Sequence, residues 1–285
     1  MRQLFDLLTS ATVYDLSQPY FVGMPHFPMH PPFLYSLTRE HGDVVGPEGH
    51  SSAADALGMG SHAGTHIDAL CHFSRHGKLF GGDPVRQSYG GGQARHSVDT
   101  IAPILRRAVL ADIAGLEQVA ALPRDFEVTP AHLEAALAGL EIRKGDIVLL
   151  RTGWAAYWHE AARYLSQGHG PGPTLAGARW LSERGVFAAG SDTVAFEKIP
   201  SETMPVHVHL LVESGIHIIE CLNLEELAAA KVREFLFVGA PLKIRGATGA
   251  PLRPLALVPQ EQLVGQAVSP ASVGTRAGAA QDPCL

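Results

Sequence analysis

The second half of the chain constrains the fold most, because short apolar runs there alternate with segments of helical periodicity. The runs lie at 107–113, 147–150, 186–190, 215–219, 234–238 and 254–258. Runs this short, rich in Val, Ile and Leu and bounded by Gly, Pro or charge, read as buried strands. Between them, Thr129 and Pro130 offer an N-cap and a first-turn proline to a helix over 131–140, in which Leu133, Ala136, Leu137 and Leu140 recur at helical spacing. Thr174 caps a second helix that runs to 182–184 and ends at Gly185, and Asn223 caps a third over 224–231. This alternation predicts a mixed α/β fold. The first third differs. Closely spaced prolines across 23–32 exclude a helix there, and the glycines at 77, 81, 82 and 90–92 mark turns. With no internal repeat, we expect one domain over 1–266. The Ala-, Ser-, Gly- and Pro-rich stretch over 267–285 reads as a flexible tail.

Composition narrows the function classes. At 46% hydrophobic and 18% charged residues, the chain has enough apolar content for a sizeable core. A balance of 22 Lys+Arg against 28 Asp+Glu, with no basic run, argues against nucleic acid as a partner. No apolar stretch approaches the roughly 20 residues of a membrane-spanning helix, and the first residues do not read as a secretory signal. Cys71, Cys221 and Cys284 are widely spaced and form no C-x-x-C pair. A disulfide framework is therefore not expected, and a cytoplasmic location is.

Histidine is the unusual residue. The chain has 15, which matters because imidazole is the commonest protein metal ligand and the usual acid/base near neutral pH. They concentrate in Ser61-His62-Ala63-Gly64-Thr65-His66-Ile67-Asp68-Ala69-Leu70-Cys71-His72. On a helix Asp68 would rotate away from His62 and His66, and Gly64, Thr65 and Ile67 disfavour a helix in any case. In an extended segment His62, Gly64, His66, Asp68 and His72 share one parity and point one way, with Gly64 leaving open space between them. Imidazoles and a carboxylate on one face form an N/O ligand set suited to Zn²⁺ or Mn²⁺. A second group lies at His207, His209 and Glu220. The two histidines share strand parity, and Glu220 closes a strand that would meet the first segment.

The first segment resembles the H-x-G-T-H-x-D-x-P-x-H signature of the metal-dependent cyclase-family hydrolases, which include bacterial kynurenine formamidase and isatin hydrolase. Tyr14-Asp15-Leu16-Ser17 and Gly23-Met24-Pro25 resemble that family's opening segments. Leu150-Arg151-Thr152-Gly153-Trp154 and Gly190-Ser191-Asp192-Thr193 resemble its central ones, and His207 with Glu220-Cys221-Leu222-Asn223-Leu224 its late ligand region. The resemblance covers roughly 10–260. It implies a single domain of the swivelling β/β/α type with a mixed sheet, often a homo-oligomer, holding one or two metal ions. It further implies that His62, His66 and Asp68 bind a first metal, that Asp68 bridges to a second held with His207 and Glu220, and that His72 is the acid/base. Either His207 or His209 fits the late position. Leu70 stands where the signature has proline. Phe27 stands where the formamidases have a tryptophan against an aromatic substrate.

Such a site would activate water, because a bound cation lowers the pKa of water from about 15.7 toward about 7. The expected reaction is hydrolysis of a non-peptide amide C–N bond, in an aryl formamide such as N-formylkynurenine or a cyclic amide such as isatin. His72 would shuttle the proton to the departing nitrogen. Phe27, Phe73 and Phe80 are candidate walls of an apolar pocket. Cys71 has the opposite parity to His72 and reads as a small buried thiol. Two rivals share part of the pattern. His66, Asp68 and His207 also fit the 2-His-1-carboxylate triad of a non-haem Fe(II) oxygenase, although such enzymes favour strand-dominated jelly rolls. A non-catalytic metal-binding protein is the other.

Overall fold

In the computed structural model the apolar runs pair into one mixed sheet of nine strands. The structure describes residues 2–260, so the expected tail over 267–285 and Cys284 lie outside the described residues. In chain order the strands are β1 (Thr12–Asp15), β2 (His66–Asp68), β3 (Ile104–Asp112), β4 (Ile147–Arg151), β5 (Ala188–Ser191), β6 (His217–Glu220), β7 (Glu234–Gly239), β8 (Gly249–Pro251) and β9 (Leu255–Val258). Across the sheet they run β1-β9-β7-β3-β4-β5-β6-β2-β8. The central block β3-β4-β5-β6 is parallel and the flanking pairs are antiparallel. The sheet curls into a half-barrel, the mixed α/β architecture expected.

Parallel strands covered on both faces have apolar residues on both sides, and β4 shows this directly. Ile147 and Leu149 pack with Ala108, Leu110, Leu227 and Phe235 on one face. Val148 and Leu150 pack on the other, under the helices at Pro130–Ala136 and Leu175–Glu183. Each large aliphatic side chain buried in this way contributes about 1.5–3 kcal/mol.

The helix signals at Thr129 and Thr174 hold at their starts, the second also at its end, and the first and third overrun at their ends. Pro130 opens its helix, and the Thr129 N–H donates to His132 Nδ1 at 3.0 Å. That helix stops at Ala136, short of the expected 140. Gly139 turns the chain at a φ of 80°, and Leu140 reaches the core from the loop instead. Thr174 caps Leu175–Glu183 by accepting the Gly177 N–H at 3.3 Å. The third helix is Glu225–Ala229, capped at Leu224 rather than Asn223, whose side chain accepts the Glu225 N–H at 3.4 Å.

One element stands apart from the sheet. Strands Leu34–Arg39 and Ala54–Gly58 form an antiparallel hairpin that leaves Leu34, Tyr35, Leu37 and Leu57 exposed.

Candidate active site

The site is built on β2 and β6. In β2, His66 and Asp68 share one face while Ile67, fully buried, turns into the core on the other. β6 runs antiparallel to it and sets Glu220 directly opposite His66. Register alone therefore brings the late carboxylate to the first motif, with Glu220 Oε2 and His66 Nε2 3.4 Å apart. His66 Nε2 and Asp68 Oδ1 are likewise 3.4 Å apart.

The flanking residues do not follow the extended parity expected for 61–72. The chain is in strand conformation only over His66–Asp68. Gly64 turns it at a φ of 67°, a conformation L side chains rarely adopt. The space beside Gly64 is not open to a metal, because the Tyr20 ring fills the position a Cβ would take. Tyr20 is held there by donating its hydroxyl to the Thr65 carbonyl at 2.6 Å. His62 reaches the site from the far side of this turn. Its Nδ1 lies 2.7 Å from Asp68 Oδ1 and its Nε2 lies 2.8 Å from the Thr248 hydroxyl. Its ring fits because Gly249 has no side chain, since a Cβ there would stand 2.6 Å from His62 Cε1. His72 follows a turn in which its N–H donates to the Ala69 carbonyl at 2.9 Å. Leu70 occupies the turn position where proline is favoured, so the departure from the family pattern preserves the bend. The His72 ring stacks on His62 with centroids 3.9 Å apart.

His207 arrives on a helix. Expected with His209 on a strand, it ends a helical turn at Pro205–His207 that continues as π-helix over Val208–Ser214. Helical rotation separates the two histidines. His207 Nε2 lies 3.2 Å from Glu220 Oε1, whereas His209 turns away to Ser182 and Glu213. Sequence reasoning missed Glu197, whose Oε1 accepts the His207 N–H at 3.0 Å and lies 2.7 Å from Nδ1. It also missed Thr248 and His30, whose ring centroid is 5.0 Å from that of His62. Only the histidine-rich stretch around His30 carried any signal.

Electrostatics at the cluster follow from buried carboxylates among imidazoles. Burial alone would lower His66 and His207, but the carboxylates that face them outweigh it. Asp68 holds His66 well above its usual range, while Glu197 and Glu220 push His207 up to about 10. Burial would raise Asp68, yet the histidines around it hold its carboxyl well below the usual range. His72 goes the other way, pushed down to about 3 chiefly by burial. Cys71 is buried and free, and burial pushes its thiol up to about 12, so it is no ready nucleophile.

Two observations test whether these residues suit a metal ion. His66 Nε2 and Asp68 Oδ2 are buried without a hydrogen-bond partner, a costly state for polar atoms unless something else engages them. The 3.4 Å separations among His66, Asp68 and Glu220 also match the edge of a tetrahedron whose ligands lie roughly 2.1 Å from its centre. One N donor and two carboxylates fit a borderline divalent cation. His62, Asp68 and His72 make a second cluster of compatible spacing.

A cavity of about 530 Å³ opens over this cluster. His62, His72, His207 and Glu220 form its floor, and Phe27, Phe73, Met29 and Met204 contribute apolar walls. Phe80 does not line it, packing instead toward Gly215 and His96.

The family model described as "Putative cyclase" matches residues 14–198. The chain belongs to this cyclase family. It is 28% identical over 211 residues to an isatin hydrolase of Roseibium aggregatum, covering 71% of this chain and 73% of that protein. It is 26% identical over 242 residues to a kynurenine formamidase of Bacillus cereus, covering 84% and 94%. A solved structure of a novel cyclase superimposes with a TM-score of 0.81 at 28% identity, covering 90% of each chain. An isatin hydrolase bound to the product analogue thioisatinate superimposes with a TM-score of 0.72 at 25% identity, covering 90% of this chain and 97% of that one. The protein is thus an enzyme of the cyclase/hydrolase family.

Family membership gives the other motifs their places. The Asp15 carboxylate accepts the Ser17 N–H at 3.0 Å and its hydroxyl at 2.6 Å, and Arg253 Nε donates to it at 2.8 Å. Thr65 ties the opening segment to the end of β6, accepting the Gln18 N–H at 2.8 Å and donating to the Cys221 carbonyl at 2.6 Å. Arg151 bridges Asp112 and Glu225.

Proposed function

We propose that the enzyme is a metal-dependent hydrolase of a non-peptide amide C–N bond, in an aryl formamide or a cyclic amide of the isatin type. The carrying observation is the pair of unpartnered buried atoms, His66 Nε2 and Asp68 Oδ2, beneath a cavity with aromatic walls. Zn²⁺ or Mn²⁺, one or two per chain, is the cofactor of this reading, held by His66, Asp68 and Glu220 with His62 and His207 beside them. The ion supplies Lewis-acid activation of water and of the amide carbonyl. His72, at the cavity floor, carries the proton to the departing nitrogen. Glu197 and Thr248 fix the His207 and His62 rings, a supporting role typical around metal sites. Phe27 and Phe73 hold the flat ring of the substrate. The names of the relatives support both amide classes.

We propose further that the protein is a homo-oligomer, as the family resemblance implies. A two-stranded hairpin is marginal by itself. Packing of its apolar side chains against a second copy would cover Leu34, Tyr35, Leu37 and Leu57. Light scattering of the purified protein tests this, and a monomer at micromolar concentration would refute it. No helix among the described residues is long and apolar enough to cross a membrane.

The test of the activity is metal content by plasma mass spectrometry, paired with hydrolysis of formanilide and isatin. His66→Ala should lose the metal. His72→Ala should keep it while turnover falls roughly 10²–10⁴-fold. A wild type that takes up no metal after reconstitution, or a His72→Ala variant that turns over normally, would sink the proposal. Turnover with a strict requirement for O₂ and iron would move the oxygenase reading forward.

A further inference from the structure

The charges around the cavity discriminate between the two amide classes. Among its lining residues there is no Lys or Arg. Above the metal cluster, the one charged group at the rim is Glu202, which is exposed and has no hydrogen bond or ion pair among the described residues. Its neighbour Ser201 is already committed, donating its hydroxyl to Glu197 Oε2 at 2.8 Å. The guanidinium groups of Arg75 and Arg179 line a separate cavity, and Arg75 is paired with Glu213. A substrate carboxylate remote from the scissile amide would find no Lys or Arg to pair with here. It would meet the Glu202 carboxylate across apolar walls, where the effective dielectric near a protein surface lies below that of bulk water.

Resting on the hydrolase reading, we propose that the preferred substrates are aryl amides with no carboxylate remote from the scissile bond, and that Glu202 sets this preference by repelling one. Isatin belongs to that class. N-formylkynurenine, whose amino-acid carboxylate lies far from its formamide, is disfavoured. Like-charge juxtaposition of this kind costs about tenfold or more in specificity.

The experiment compares kcat/KM for formanilide, 4-formamidobenzoate and 4-(aminomethyl)formanilide, using metal-loaded wild type, Glu202→Gln and Glu202→Lys. Wild type should favour formanilide over the benzoate by about tenfold or more, with the amine at least as good as formanilide. The formanilide-to-benzoate ratio should shrink in Glu202→Gln and move at least about tenfold toward the benzoate in Glu202→Lys. Equal or better use of the benzoate by wild type, or a ratio that neither variant moves, overturns the inference. If wild type hydrolyses no amide, the hydrolase reading itself fails. The charge preference is then read separately, by calorimetric dissociation constants for acetanilide and 4-acetamidobenzoate. Equal binding of the two, or no response to Glu202→Lys, overturns it there too.

Discussion

Asp192→Ala should be among the most damaging substitutions away from the His66, Asp68 and Glu220 cluster. Asp192 is fully buried at the end of β5, and its carboxylate receives the end of β4. It accepts the Thr152 N–H at 2.9 Å, the Thr152 hydroxyl at 2.6 Å and the Gly153 N–H at 2.8 Å. Alanine leaves two buried backbone N–H groups without acceptors, at about 1–3 kcal/mol each, so the loss should centre near 4 kcal/mol. A pH term runs with it. Burial, only partly offset by these donors, pushes the carboxyl from 3.8 up to about 6. A raised acid pKa means that the folded state holds the proton more tightly than the unfolded chain. The group's contribution to stability is therefore full at low pH and declines as pH rises through about 6. Alanine has no such decline. The gap between wild type and variant should consequently shrink by about 1.4 kcal/mol between pH 5 and pH 7.5, the worth of one pKa unit. Urea unfolding at the two pH values, followed by the fluorescence of Trp154 and Trp158, measures both quantities, and other titrating groups cancel in the difference. Coincident wild-type and variant unfolding curves would refute the bonding argument, and a gap that widens with pH would refute the sign. The consequence reaches the site, because Val194 and Ala195 line the cavity and the Phe196 N–H donates to Glu220 Oε1 at 2.7 Å.

Further outcomes are expected elsewhere. Gly64→Ala combines a left-handed backbone with a clash against the Tyr20 ring, so thermal unfolding should reveal a loss of about 2–5 kcal/mol, partly recovered by adding Tyr20→Ala. Glu197→Ala removes the acceptor shared by the His207 N–H and ring, and metal affinity measured against a chelating dye should fall about 10–100-fold. Zinc or manganese at a hundred times its Kd should stabilise wild type by about 2.7 kcal/mol, read as a higher midpoint in urea, with no such gain in His66→Ala.

How far the sequence reaches is clearest at its histidine segment. The placement of His66 and Asp68 on one face and the identity of their family are legible in residue type and spacing, because β2 is local and alternation along a strand needs no partner. The path of the chain around β2 is not. Gly64 turns where an extended strand was expected, and what selects the turn is the ring of Tyr20, packed there from a distant part of the chain. The two spaced histidines at 207 and 209 read equally well as strand neighbours. Helical rotation separates them, and Glu197 anchors only the first.

The apolar runs, the caps at Thr129 and Thr174 and the cyclase motifs were thus determined by sequence alone, since each depends on a residue and its near neighbours. Tertiary structure decided the rest: the strand order, the register that sets Glu220 opposite His66, the seat of Asp192 under Thr152 and Gly153, and the carboxylate rim above the cavity. Each of those rests on hydrogen bonds and packing between residues far apart in the chain, whose partners are chosen only when the whole sheet closes.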